Sequence, residues 1–128
     1  MKILIVEDDE NSRTLLTRIV AKKFQCQVFE AKDGLEALSL VRSVSPDLVI
    51  LDVMMPILDG TAVLKAIRSD PAHSTLPVII ASALDDKQTV LGLLQFGVSD
   101  YLLKPLSVDE VQKRVGNVIA KISASTKA

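Results

Sequence analysis

The 128-residue chain has one cysteine, one histidine, no excess of either charge and no long apolar run. Cys26 stands alone, so neither an intramolecular disulfide nor a multi-cysteine metal site can form, and a reducing, cytosolic setting fits. His73 lies in the polar stretch SDPAHSTLP with no second histidine or cysteine near it; it reads as a solvated residue, not a ligand or phosphoryl carrier. Fifteen basic and sixteen acidic residues leave a net charge of −1 (Lys+Arg 15, Asp+Glu 16). That balance offers no charge-driven attraction to nucleic acid or a membrane surface. No apolar run approaches the ~20 residues of a membrane span. Lys2 is followed by only Ile3, Leu4, Ile5 and Val6 before acid begins, which is no secretory signal. There is no internal repeat or low-complexity segment. What remains is the composition of an ordinary globular domain, 48 % apolar and 24 % charged, long enough to close one core.

Two textures alternate along the chain. Short β-branched or apolar runs at residues 2–6, 27–30, 48–51, 78–81 and 101–103 read as buried strands. Between them, apolar residues recur at helical spacing: Leu15, Leu16, Ile19, Val20 and Phe24 in 10–24; Leu35, Leu38, Val41 and Val44 in 35–44; Val63, Leu64 and Ile67 in 61–68. A fourth helix is expected over 87–96. A fifth, over 108–122, carries Val108, Val111, Val115, Val118, Ile119 and Ile122. Asp9, Asp33, Asp59, Asp85 and Ser107 stand where N-caps belong, and Gly97 where a C-terminal glycine belongs. Ser45-Pro46 and Leu76-Pro77 precede strands three and four. Lys22 and Lys23 end the first helix, where cations suit the dipole. Cys26 is expected to pack as a small hydrophobe. Five β-α units predict an α/β fold, a parallel sheet with helices on both faces.

Open sheets of this kind bind ligands beyond the carboxyl ends of the strands. Glu7, Asp8 and Asp9 follow strand one, Asp52 strand three, Ser82 strand four and Lys104 strand five. A single acid at a strand end is explained by capping or a turn. Acid at two strand ends is not, because in the doubly wound order 2-1-3-4-5 strands one and three flank the switch point and their carboxylates would crowd together. Like charges raise each other's pKa unless a cation intervenes, and Mg²⁺, a hard ion with oxygen ligands, fits best. A lysine, a hydroxyl and Mg²⁺ around a carboxylate form a cage for a tetrahedral anion such as phosphoryl. Asp52 is then a candidate nucleophile, since aspartate can form an acyl phosphate.

The segments ILIVEDDE at 3–10, LDVMMPILDG at 51–60, SA at 82–83 and DYLLKP at 100–105, in this order and at these separations, resemble the receiver domain of two-component response regulators, including the chemotaxis type. The resemblance covers residues 2 to about 122 and implies a flavodoxin-like doubly wound (βα)5 domain over 1–122, with 123–128 a frayed tail or the start of a linker. It implies that Asp52 is the phospho-acceptor and Asp8 the direct metal ligand. Asp52 and the backbone carbonyl of Met54 would complete the protein ligands, with Glu7 acting through water. Ser82 matches the switch hydroxyl, Tyr101 the aromatic switch, Lys104 the phosphate-contacting lysine, and Pro105 the residue after a cis peptide bond. Asp9 is left as the cap of the first helix.

By the same resemblance, a histidine kinase or histidine phosphotransfer protein would donate a phosphoryl group to Asp52 in a Mg²⁺-dependent reaction. Ser82 and Lys104 would be drawn to it, Tyr101 would turn inward, and the surface of helix four, strand five and helix five would change for an output protein, an effector domain or a second copy of the chain. This is a cytoplasmic regulatory domain that catalyses only its own phosphotransfer and autodephosphorylation, with no direct nucleic-acid or membrane binding. The alternative is a receiver module of a larger DNA-binding or enzymatic effector, or of a hybrid kinase; Met1 standing directly before strand one favours an N-terminal or free-standing receiver. Ser82 departs from the commoner threonine. Leu84 and Met54, two residues beyond Ser82 and Asp52, are apolar, so neither is expected to activate the water that ends the phosphorylated state. In helix four Val90, Leu91, Leu93, Leu94 and Phe96 fan over roughly 220°, wider than the ~100° stripe that faces a core; Leu93 and Phe96 stand where receivers usually have small residues. The helix is either deeply buried or a docking or dimer face, and low exposure of Leu91 and Phe96 would mark the first.

Rival readings fit less well. A phosphohydrolase of the haloacid-dehalogenase class, with its own aspartyl phosphate and Mg²⁺, needs a second acid two residues after the nucleophile, where Met54 stands. A flavodoxin needs a hydroxyl- and glycine-rich phosphate loop after strand one, where Glu7, Asp8 and Asp9 would repel the phosphate. A phosphorylation-independent pseudo-receiver usually lacks a key residue, and none is missing.

Overall fold

A computed structural model describes residues 1–55, 58–83 and 87–127. Strands β1 (Lys2–Val6), β2 (Gln27–Ala31), β3 (Leu48–Asp52), β4 (Val78–Ala83) and β5 (Asp100–Lys104) alternate with helices α1 (Glu10–Lys23), α2 (Gly34–Val44), α3 (Gly60–Ser69), α4 (Lys87–Leu94) and α5 (Val108–Lys127). The strands form one parallel sheet in the order β2-β1-β3-β4-β5. This is the flavodoxin-like doubly wound arrangement. It places β1 and β3 side by side at the centre, in the register Ile3↔Leu48 to Val6↔Leu51.

Central strands of a parallel sheet are covered on both faces, so their apolar runs are continuous. Ile3, Ile5, Leu48, Ile50, Ile79 and Leu102 pack against α1 and α5 through Leu16, Val20, Val111 and Val115. Leu4, Val6, Val49, Leu51 and Ile80 pack on the other face against Ala37, Val41, Val63, Leu64, Ile67 and Leu93 of α2, α3 and α4.

The helix starts follow their caps. The carboxylates of Asp9, Asp33 and Asp59 accept from the backbone N–H of Ser12, Glu36 and Ala62 at 2.8, 2.8 and 3.0 Å. The Ser107 hydroxyl accepts from Glu110 N–H at 3.4 Å. Gly97 adopts φ 76° just past α4, the left-handed conformation that glycine takes without a Cβ clash. Asp85, expected to cap α4, and Leu84 lie outside the described residues.

Helix faces depart from expectation at three leucine or valine positions. Leu15, Leu35 and Val108 are exposed, Leu35 by 65 %. In α2 the buried residues are Gly34, Ala37 and Val41 instead. A Cβ at Gly34 would lie 2.6 Å from the Leu58 carbonyl oxygen and 2.8 Å from Val63 Cγ2, so the first turn of the helix sits too close for any larger residue at that position. Val108 opens α5 before the helix meets the sheet. The small polar residues after Ile122 continue α5 as far as Lys127. In α4 the outcome is split: Leu93 is fully buried and Phe96 packs against the core, while Leu91 is 66 % exposed and Leu94 is exposed too. The helix is therefore not buried all round. Among the described residues no helix is long and apolar enough to cross a membrane.

Candidate functional site

The acidic edge is built where apolar strands run out. β1 is buried through Val6, and the Glu7 N–H extends its ladder to the Ala31 carbonyl at 3.0 Å. The ladder therefore carries Glu7 into the interior. Asp52 is the last residue of β3 and pairs with Ala81. Lys104 is the last residue of β5 and pairs with Ala83 of β4. Glu7, Asp52 and Ser82 are 1, 2 and 1 % exposed.

Lys104 reaches in between the buried acids. Its Nζ donates to Glu7 Oε2 at 3.2 Å and Oε1 at 3.4 Å, and to Asp52 Oδ2 at 3.1 Å. The other oxygen of Asp52 accepts from Met54 N–H at 3.2 Å, and Glu7 Oε1 accepts from Asp9 N–H at 3.2 Å. Asp8 is exposed, yet carboxylate oxygens of Glu7, Asp8 and Asp52 lie within 4.8 Å of one another. Asp9 is not in that group; its carboxylate turns away to cap α1. The three adjacent acids thus have three different surroundings.

Burial first, then the Asp52 charge, push the Glu7 carboxyl up to about 7, against the opposing pull of Lys104. Burial alone would lower the Lys104 ammonium, but the Asp52 and Glu7 charges outweigh it and hold its pKa above the ordinary value. One ammonium beside three carboxylates leaves the site short of positive charge. Hard-cation chemistry matches this donor set.

Ser82 adds a second sign of incompleteness. Its hydroxyl is the one buried side-chain polar atom among the described residues that lacks a hydrogen-bond partner. Such an orphan costs about 1–3 kcal/mol and suits a site where an acceptor arrives later. It stands at the end of β4, next to the strand carrying Asp52, but bonds to none of the charged groups.

Gly60 and Arg13, not singled out by the sequence reading, hold the edge in place. Gly60 opens α3 with its N–H on the Val53 carbonyl at 3.0 Å. A Cβ there would lie 2.6 Å from the Asp52 carbonyl oxygen and from Val53 Cα. Only glycine lets the helix begin directly against the strand end. Arg13 Nη1 donates to the Glu7 carbonyl at 2.9 Å, its Nε lies 3.5 Å from Glu30 Oε1, and Thr17 Oγ1 donates to the same Glu30 oxygen at 3.1 Å. It pins the peptide that leads from Glu7 to Asp8. A lone arginine one turn into a helix looks solvated in sequence, and its carbonyl target leaves no trace there.

Tyr101 sits apart from the acids. It is exposed, and the Arg114 guanidinium lies 4.9 Å from its ring centroid. Arg114 is itself held by Asp100 Oδ1 at 2.7 Å and Glu110 Oε2 at 2.8 Å. The Lys104–Pro105 peptide is cis.

Comparison with known proteins gives a consistent result. A family model described as "Response regulator receiver domain" matches residues 3–116. A sensor histidine kinase, TmoS of Ectopseudomonas mendocina, is 37 % identical over 119 residues, which are 93 % of this chain and 12 % of the kinase. The protein described as "Probable transcriptional regulator ycf27" in Guillardia theta is 40 % identical over 121 residues, 94 % of this chain and 46 % of that protein. The chain thus spans half or less of these curated relatives. The solved receiver domain of the Francisella response regulator 1452 superposes with a TM-score of 0.83 at 35 % identity, covering 94 % of this chain and 97 % of that one.

Proposed function

This chain belongs to the response regulator receiver family, and on that premise we propose that it is a switch set by phosphorylation of Asp52. The observation that carries the proposal is Lys104 between Glu7 and Asp52, with the Asp8 carboxylate alongside. In the proposed reaction an Asp52 carboxylate oxygen attacks the phosphorus of a phosphohistidine on a kinase or phosphotransfer protein. An O–P bond forms, the N–P bond breaks, and the imidazole leaves.

Asp8, Asp52 and the Met54 carbonyl would hold Mg²⁺, with Glu7 acting through water. When bound, the ion supplies positive charge against the phosphoryl oxygens. Lys104 supplies a second cation, already in contact with Asp52. Phosphorylation adds acceptor oxygens beside the Ser82 hydroxyl, which has no partner to give up. Ser82 then acts as the switch hydroxyl and Tyr101 as the aromatic switch, and the α4–β5–α5 surface changes for an output protein, an effector domain or a second copy. The exposure of Leu91, Leu94, Tyr101 and Leu103 supports that surface as the output face. The chain is regulatory rather than a turnover enzyme, and a reducing cytoplasm suits it. Its relatives include longer kinases and regulators, which favours a module serving a larger effector as the second reading.

Incubation with acetyl phosphate and Mg²⁺ tests the proposal. One phosphoryl group should appear on the chain. Asp52→Asn, or removal of Mg²⁺ with EDTA, should abolish it; full labelling in either case would overturn the assignment.

A further inference from the structure

Among the described side chains of α4 only Leu93 is fully buried, and the helix is held unevenly. Towards its start, among the side chains described, Val90 is half-buried and Leu91 is exposed. Towards its end Leu93 is fully buried and Phe96 and Val98 pack against the same cluster. That end also meets α3. Arg68 Nε donates to the Phe96 carbonyl at 2.6 Å, Nη2 to the Gly97 carbonyl at 2.8 Å, and Nη1 to the Leu76 carbonyl at 2.7 Å. The Lys65 ammonium lies 5.9 Å from the Phe96 ring centroid. Beyond the turn, Ser99 N–H bonds to the Val78 carbonyl at 2.8 Å and ties the chain back to β4.

The chemistry of Arg68 is specific. The Phe96 and Gly97 carbonyls lie in the turn just past α4, where backbone acceptors have no place in the helix ladder and need a partner from elsewhere. A guanidinium offers a rigid fork of donors that can serve several of them at once. Among the described residues no carboxylate pairs with Arg68. Its three hydrogen bonds among the described residues all go to backbone carbonyls of the α4–β5 turn and the α3–β4 loop.

We propose that Arg68 is a positioning residue that fixes the C-terminal end of α4 as a pivot. Phosphorylation of Asp52, on the strand next to the Ser82 end of β4, then swings the N-terminal end of α4 while residues 93–99 stay in place. This rests on the switch reading above. It specifies which end of the output surface moves, and makes α3 the support against which it moves.

Hydrogen exchange with mass detection on the full chain, with and without acetyl phosphate and Mg²⁺, tests it. Intact mass is read on the same samples. Exchange in peptides covering 87–91 should change about tenfold on phosphorylation, and in 93–99 less than about twofold. In Arg68→Met the change should spread into 93–99, and Arg68→Lys, which keeps the charge but not the fork, should restore the pattern only partly. Equal change at both ends in the wild type, or an unaltered pattern in Arg68→Met, would overturn the pivot. Should Arg68→Met fail to fold, the wild-type pattern decides alone. Failure to gain the mass of a phosphoryl group would instead overturn the switch reading, and the pivot with it.

Discussion

The centre of the sheet and the α4–β5 edge are made of similar residues used in opposite ways. In β1 and β3 every apolar side chain is buried, and the strand ends hold Glu7 and Asp52 almost out of solvent. In α4 and β5, Leu91, Leu94, Tyr101 and Leu103 lie exposed, and the anchoring comes from Leu93, Leu102 and the bonds of Arg68. Charge is concentrated where the scaffold yields least; apolar surface is left free where it yields most. An acid cluster of this kind needs firm walls, because carboxylates free to drift apart would not stay within 4.8 Å of one another.

Five substitutions sharpen this contrast, their stabilities read by denaturant unfolding. Ile50→Ala, in the buried centre, should cost about 4 kcal/mol, the usual range for deleting a packed isoleucine. Glu7→Gln should act in the other direction. The Glu7 pKa is raised to about 7 in the fold from an ordinary 4.5, so the folded chain binds this proton more tightly than the unfolded one. Stability should therefore fall as pH rises from about 4.5 to about 7 and level off above that. In EDTA, Glu7→Gln should flatten this slope and add on the order of 1–3 kcal/mol at pH 8. A slope that persists in the variant would show that other groups cause it.

Asp9→Ala should cost about 1 kcal/mol through loss of the α1 cap and leave Mg²⁺-dependent labelling intact. Asp8→Ala should weaken Mg²⁺ binding, measured by calorimetry, with little change in folding stability. The reverse outcome would mean that the two acids exchange roles. The smallest effect is expected at the other region: Leu91→Ala should shift stability by less than about 0.5 kcal/mol, as for an exposed position. A large loss there would mean that α4 is packed as firmly as the centre.

Much of this was legible in the chain because a parallel sheet writes itself as continuous apolar runs. Each run ended within a residue or two of its strand, and the acids, serine and lysine stood just after them. The helix faces were less legible. Leu15, Leu35 and Val108 fit an apolar period, but which part of a wide stripe touches the sheet depends on how near the helix comes. Gly34 and Ala37 decide that in α2 by being small. Arg13 and Arg68 were illegible for another reason: they bind carbonyl oxygens, which every residue has and no sequence pattern marks.

The span between Glu7 and Lys104 has a consequence for how the molecule is made. The ion pair joins residues 97 apart in sequence, from the end of β1 to the end of β5 with β3 and β4 between them. A chain emerging from synthesis can pair β1, β2, β3 and β4 before β5 exists. Up to that moment Glu7 and Asp52 face each other with no ammonium between them, and buried like charges resist being closed in. Docking of β5 removes that repulsion and finishes the sheet in one event. A chain cut before Lys104 would keep both acids and lose the one ammonium that bonds to them among the described residues.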